Sequence, residues 1–195
     1  MSKNLPINRE EAIALLKNHN CDKFDFNHYL ESEVVMRHLA RHLNENEEYW
    51  AMLGLLHDID WGITKGNSQE HLTKAPEILK NAGFDDEFIS TIVSHGFGFN
   101  CADLLNKTRT KKLEHALAAC ETITGLIHAY ALMKPIWEMD VHGLKNKFKN
   151  KKFAAAINRD IISEVEKLGI SLDDFFKISI VAIKEIAQDV DLKSS

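Results

Sequence analysis

The sequence predicts an all-α protein that folds as a single-domain helical bundle with about eight helices. Apolar residues recur at spacings of three and four along most of the chain, as on the buried face of a helix. No sustained alternation of apolar and polar residues between turn residues indicates a strand. No repeat, low-complexity segment or long linker divides the 195 residues, so we expect one domain over residues 1–195.

The helices of the first two thirds of the chain have clear start signals and apolar faces. Asn8 and Glu11 have the spacing of a capping box and open a helix that runs to about Lys17. Gly62, Gly66 and Asn67 indicate a loop. Periodicity predicts the other helices of this part over about 26–43, 47–58, 70–81, 85–94 and 111–133.

The last third begins with a break. Pro135 disfavours helical geometry at Lys134, and a lysine-rich stretch follows over 145–152. Periodicity then predicts helices over about 158–168 and 171–188, and Ser171 with Asp174 has the spacing of an N-cap.

Charge and composition exclude several classes of partner. The formal net charge is −5, so nothing indicates binding of a nucleic-acid polymer or an anionic membrane. No apolar stretch approaches the roughly 20 residues that span a bilayer, and the polar segment 1–10 lacks the apolar stretch typical of a signal peptide. The three cysteines are widely spaced and odd in number, which is typical of a reducing compartment. We therefore expect a cytoplasmic protein.

Polar residues on predicted apolar helix faces carry the functional signal. His57 and Asp58 follow the apolar run 53–56, where burial of two polar side chains is costly unless something pairs with them. Four other polar residues lie at helical spacing from apolar neighbours on their predicted helices: His28, His71, His95 and Glu121.

Each of these residues has an ordinary explanation when it is taken alone. A histidine on an apolar face is commonly hydrogen-bonded within the core, and His57 at a helix end interacts well with the helix dipole. It is much less common for all of these explanations to hold in one protein. A divalent metal bound by these residues accounts for all of them at once. Nitrogen and carboxylate ligands suit Mn, Fe, Co, Ni or Zn, with Mg where oxygen and water dominate.

The order of these residues resembles the HD-domain phosphohydrolase superfamily, which is all-α. The segment 55–60, Leu-Leu-His-Asp-Ile-Asp, is similar to the HDIG-type signature, with Asp60 where glycine often stands. The C-terminal part resembles a poorly characterised bacterial subgroup of predicted hydrolases. The resemblance covers roughly residues 10–190 and implies an HD core over about 24–133 with a helical extension over about 134–190.

The resemblance implies a metal centre with one or two divalent ions per chain. One ion would be held by four residues: His28, His57, Asp58 and Glu121. His71 and His95 would hold a second ion with Asp58 as the bridge, or would bind substrate phosphate beside a single ion. The last ligand of the family is usually aspartate, and Glu121 reaches one methylene further. The residues implied in catalysis are Asp58, His71 and His95.

The function implied is hydrolysis of a small phosphoester or nucleotide by a metal-activated water. Lys65 and Arg109 lie in loops near the predicted centre and could contact the substrate phosphate. Two alternatives of the same fold stay open, a non-catalytic metal- or nucleotide-binding sensor and a di-iron oxygenase. An interaction protein whose histidines fill a core is a third.

Overall fold

The computed structural model describes residues 4–192, so both ends of the predicted domain 1–195 extend beyond the described residues. Within that range the chain is all-helical and has no strand, which confirms the predicted fold class. The α-helices are α1 (Arg9–Lys17), α2 (Lys23–Leu43), α3 (Glu47–Leu56), α4 (Trp61–Thr64), α5 (Ala75–Asn81), α6 (Asp86–Ser94), α7 (Lys112–Ala131), α8 (Val141–Lys149), α9 (Arg159–Ser163) and α10 (Leu172–Glu185). Three short 3-10 helices cover Ser68–Glu70, Ile136–Glu138 and Glu164–Leu168.

The predicted caps are present at two helix starts. The Asn8 side chain accepts a hydrogen bond from the Glu11 backbone N–H at 3.0 Å, and the Glu11 carboxylate accepts from the Asn8 N–H at 2.8 Å. The Ser171 hydroxyl accepts from the Asp174 N–H at 3.1 Å. Both caps satisfy N–H groups that have no partner within the helix, and so they set where α1 and α10 begin.

One predicted helix begins later than expected. The sequence predicts a helix over about 70–81, but α5 starts at Ala75. Leu72 has a φ of 66°, which an α-helix does not allow, and the backbone N–H groups of Lys74 and Ala75 donate to the Asp60 carboxylate. His71 therefore lies on a non-helical turn, and its predicted place on the apolar face of α5 is wrong.

Two α-helices of the structure, α4 and α8, were not predicted from the sequence. α4 has only four residues, too few to show a periodic pattern. α8 lies in the lysine-rich stretch, where the Asp140 side chain caps it by accepting from the Gly143 N–H at 2.6 Å. One apolar residue of α8, Leu144, is fully buried, so the helix depends on packing that periodicity in a basic segment did not reveal.

Helix α2 lies at the centre of the bundle and packs against α3, α7 and α10. Its fully buried residues Val35, Met36 and Leu39 belong to the same core as Leu53 of α3. Helices α2 and α3 approach closely at Gly54, where a Cβ atom would lie 2.5 Å from the Ser32 carbonyl oxygen. This packing brings the end of α3 against the middle of the bundle.

Two further features of the described residues are the character of the helices and the state of the cysteines. Across residues 4–192, none of the helices combines the length and the apolar character needed to cross a bilayer. Cys21, Cys101 and Cys120 are free thiols.

Candidate metal centre

The centre is built around the residues that follow α3. The apolar residues of α3 are buried, and they carry His57 and Asp58 inward with them. His57 is 1% exposed, and the Asp58 side chain retains 15% exposure. The hydrophobic effect on α3 thus supplies the free energy that places two polar side chains in the interior.

One face of Asp58 meets a first histidine pair, from α2 and the end of α3. The Nε2 atoms of His28 and His57 are 3.1 Å apart. The Asp58 Oδ2 atom lies 4.0 Å from His28 Nε2 and 3.5 Å from His57 Nε2.

A second histidine pair meets the other carboxylate oxygen. The Nε2 atoms of His71 and His95 are 3.2 Å apart. The Asp58 Oδ1 atom lies 3.2 Å from His71 Nε2 and 3.1 Å from His95 Nε2. Asp58 therefore lies between two histidine pairs, with one oxygen toward each.

The Nδ1 atom of each of the four rings contacts a hydrogen-bond acceptor. These contacts are His57 Nδ1 to the Gly54 carbonyl at 2.8 Å, His95 Nδ1 to the Ile92 carbonyl at 2.7 Å, His71 Nδ1 to Asp60 Oδ1 at 3.1 Å and His28 Nδ1 to Thr124 Oγ1 at 3.0 Å. The Thr124 hydroxyl donates its own proton to the Glu121 carbonyl at 2.7 Å, so it accepts from His28. Every Nδ1 thus carries a proton, and in the neutral ring every Nε2 presents a lone pair.

This donor set fits a divalent metal. Two nitrogen lone pairs at 3.1 or 3.2 Å repel each other unless a metal ion or a proton lies between them. Two nitrogens bound to one ion at about 2.1 Å, at angles of about 90–110°, are roughly 3.0–3.4 Å apart. Two groups of residues bring ligand atoms within 4.8 Å of one another, namely His28, His57 and Asp58, and Asp58, His71 and His95.

Burial and charge give His57 and His71 different proton affinities. Burial lowers the pKa of His57 to about 3, so this ring is neutral. Burial also lowers the pKa of His71, but hydrogen bonds to Asp58 and Asp60 outweigh it and raise the value to about 10. Burial raises the pKa of Asp58, yet its histidine neighbours hold it well below the usual range. Without metal, a proton on His71 therefore balances the Asp58 charge.

We expect the His71 ring of the metal-free protein to titrate near pH 10 in an NMR experiment that follows its ring nitrogens. Because the pKa of His71 is higher in the folded state than in the unfolded state, protonation of His71 stabilises the fold. This stabilisation is complete below the ordinary pKa of about 6.5 and is lost as the pH rises through about 10. Asp60→Asn removes one of the two carboxylates and should lower this pKa. Titration of His71 near its ordinary value in the wild-type protein would contradict the assignment.

Glu121 lies beside the centre but outside both groups of ligand atoms. Its Oε1 atom accepts a hydrogen bond from the Thr122 hydroxyl at 2.5 Å, and burial raises its pKa. It lines the same cavity as Asp58 and His95. Its predicted role as a metal ligand stays a prediction.

An open cavity of about 440 Å³ borders the His71 and His95 side of the centre. Besides the charged and imidazole groups, its wall contains three uncharged polar side chains, Ser68, Gln69 and Asn100, and two aromatic rings, Trp61 and Phe99. The Trp61 ring contacts the His71 ring edge to face, with centroids 5.2 Å apart. A small molecule in this cavity would lie directly against Asp58.

The two residues predicted to bind substrate phosphate have other contacts. The Lys65 ammonium pairs with Asp22 at 2.7 Å and Asp25 at 2.8 Å, at the start of α2. Arg109 is 7% exposed and pairs with Glu164 at 2.8 Å. Neither residue is among those that line the cavity. Neither the closeness of Lys65 to the HD dipeptide in sequence nor the loop position of Arg109 gave a place at the cavity, because carboxylates elsewhere hold both cations.

Sequence reasoning noticed Asp60 only as a departure from the signature. The structure shows it fully buried, where it accepts from His71 and from the Lys74 and Ala75 N–H groups. The sequence feature that could have identified Asp60 is its position in the same apolar segment as Asp58, where a second carboxylate is costly to bury. Nothing in the sequence pattern indicated the supporting contact of Thr124 with His28.

Comparison with known proteins yields one family. The sequence pattern of the HD domain family matches residues 25–128, which is more than half of the chain. The matched segment contains both histidine pairs, Asp58 and Glu121. Neither the curated proteins nor the solved structures gave a significant match.

Proposed function

Because the chain belongs to the HD-domain family, whose members are generally metal-dependent phosphohydrolases, we propose that it hydrolyses a small phosphoester or nucleotide. The observation that carries this proposal is the position of Asp58 between two histidine pairs, with the four Nε2 atoms 3.1 to 4.0 Å from its carboxylate oxygens. Such a donor set, open to a cavity, is typical of a centre that binds two divalent ions with one shared carboxylate.

The residues divide between the two ions by the distances given above. His28, His57 and Asp58 would hold one ion, and His71, His95 and Asp58 would hold the other. Glu121 completes the first set in this proposal. Its backbone carbonyl accepts from Thr124, which supports His28, so one turn of α7 lies beside His28.

Bound divalent ions lower the pKa of a coordinated water and offset negative charge on the phosphoryl oxygens. The chain contributes orientation, because the four Nδ1 contacts keep each ring in one tautomer and one direction. Asp58, His71 and His95 line the cavity, where they would touch the substrate phosphate or its ions. We therefore propose these three as the catalytic residues.

The rest of the cavity suits the non-reacting part of the substrate. Ser68, Gln69 and Asn100 offer hydrogen bonds to an uncharged polar group, and Trp61 and Phe99 offer flat apolar surfaces. The imidazole and carboxylate ligands favour Mn, Fe, Co, Ni or Zn over an all-oxygen Mg site.

Phosphate release tests the proposal. The purified protein is incubated with a panel of nucleotides and sugar phosphates, with Mn²⁺, Co²⁺, Ni²⁺, Zn²⁺ or Mg²⁺ added. We expect metal-dependent release by the wild-type protein and by Asp86→Ala, a control whose carboxylate is 95% exposed on α6. Asp58→Ala should release none.

Two outcomes would contradict the proposal and favour the alternatives. Folded, metal-loaded protein that releases phosphate from no substrate would favour a sensor that binds without turnover. Protein that retains iron, releases no phosphate and consumes oxygen with an organic substrate would favour oxygenase chemistry.

A further inference from the structure

A buried polar network joins the C-terminal part of the chain to the residues before α7. The Arg109 guanidinium makes a two-point contact with Glu164, with Nε and Nη2 each 2.8 Å from a carboxylate oxygen. His115 of α7 approaches the same carboxylate, with Nδ1 2.6 Å from Oε2. Arg109 and His115 are both 7% exposed. The Glu164 carboxylate thus fixes one edge of the guanidinium.

The other edge of the guanidinium contacts the end of α6. Its Nη1 atom donates to the carbonyl oxygens of Ser94 at 3.1 Å, His95 at 3.2 Å and Phe97 at 2.9 Å. Carbonyls at the C-terminus of a helix lack partners within the helix and carry partial negative charge. A cation that contacts three of them holds this turn of backbone in place.

The backbone that Arg109 holds carries His95. The Nδ1 atom of this ring donates to the Ile92 carbonyl, and its Nε2 atom is 3.1 Å from Asp58 Oδ1. Because Arg109 binds the carbonyl of His95 itself, a shift of the guanidinium moves the ring relative to Asp58.

We infer that Arg109 is a positioning residue that holds His95 at the metal centre, and that Glu164 and His115 hold Arg109 in turn. The inference rests on the proposed role of His95 as a metal ligand. Glu164 lies beyond the matched segment 25–128, so the C-terminal helices act on the centre as well as on the core.

Metal titration of the full-length protein tests this inference without any substrate. Metal-free protein is titrated with Co²⁺, and binding is followed by calorimetry and visible absorption. His95→Ala and His28→Ala identify the binding events that depend on each histidine pair. We expect Arg109→Lys to weaken the event that His95→Ala removes by about 10- to 100-fold, and the other event by no more than about twofold.

A second variant and a matched control guard against loss of folding. Glu164→Gln keeps the size of the side chain and should weaken the same event by about tenfold. Glu33→Gln disrupts a comparable ion pair, in which Glu33 is 7% exposed and contacts Arg9 at 2.6 Å, and it should leave both events unchanged. Circular dichroism confirms that each variant is helical at the titration temperature.

Equal weakening of both binding events, or wild-type affinity in folded Arg109→Lys and Glu164→Gln, would overturn the inference. If His95→Ala retains every binding event, the ligand assignment of the proposed function is wrong and the inference fails with it. Failure of the ligand assignment is thus seen in His95→Ala, whereas failure of the inference about Arg109 alone is seen only in Arg109→Lys and Glu164→Gln.

Discussion

Replacing Asp58 with asparagine is expected to remove both ions of the proposed metal centre and to lower the proposed metal-dependent hydrolysis by on the order of 1,000-fold or more. One carboxylate serves both histidine pairs, with Oδ1 3.1 Å from His95 and Oδ2 3.5 Å from His57. Asparagine has nearly the same shape, but it lacks the negative charge and presents an N–H donor in place of one ligand oxygen. Neither ion then keeps a complete set of ligands.

Metal content after gel filtration at a fixed free-metal concentration measures this effect. Asp60→Asn is the matched comparison, because it makes the same change two residues away at a carboxylate that contacts His71 Nδ1. We expect Asp60→Asn to lower the affinity only for the ion on the His71 side, by about 10- to 100-fold. Retention of one ion per chain by Asp58→Asn would disprove the shared-carboxylate arrangement.

Gly54→Ala is expected to lower the free energy of unfolding by about 3 kcal/mol or more, the upper end of the range for overpacking. Its Cβ atom would lie 2.5 Å from the Ser32 carbonyl oxygen and 2.9 Å from the Glu33 nitrogen. Both atoms belong to the backbone of α2, so relief requires α2 and α3 to move apart. The Gly54 carbonyl also accepts from His57 Nδ1, so the same shift disturbs the metal centre.

Urea denaturation followed by circular dichroism measures the loss of stability, and Co²⁺ titration measures the loss of affinity. Gly66→Ala is the control, since this exposed glycine has no atom within 4 Å of the added Cβ. An unfolding midpoint for Gly54→Ala equal to that of Gly66→Ala would show that α2 and α3 are not closely packed there.

The sequence predicted the long helices well, because each one has a repeated apolar face. α2 ends at Leu43 as predicted and begins three residues earlier than expected, at the Asp22 cap. The prediction was wrong for residues 70–74 because the backbone there donates to Asp60, a side chain from a separate segment. Local periodicity contains no information on such a contact.

The sequence by itself determined the all-α class and singled out His28, the His57-Asp58 dipeptide, His71 and His95, because polar groups among apolar residues are costly to bury without a partner. The family resemblance had already grouped His28 with His57 and His71 with His95, and only the tertiary structure placed their Nε2 atoms 3.1 to 4.0 Å from the Asp58 oxygens. It also decided that Lys65 and Arg109 bind carboxylates away from the cavity. The physical reason is that helical spacing sets the face on which a residue lies, whereas contacts between distant segments depend on how the helices pack.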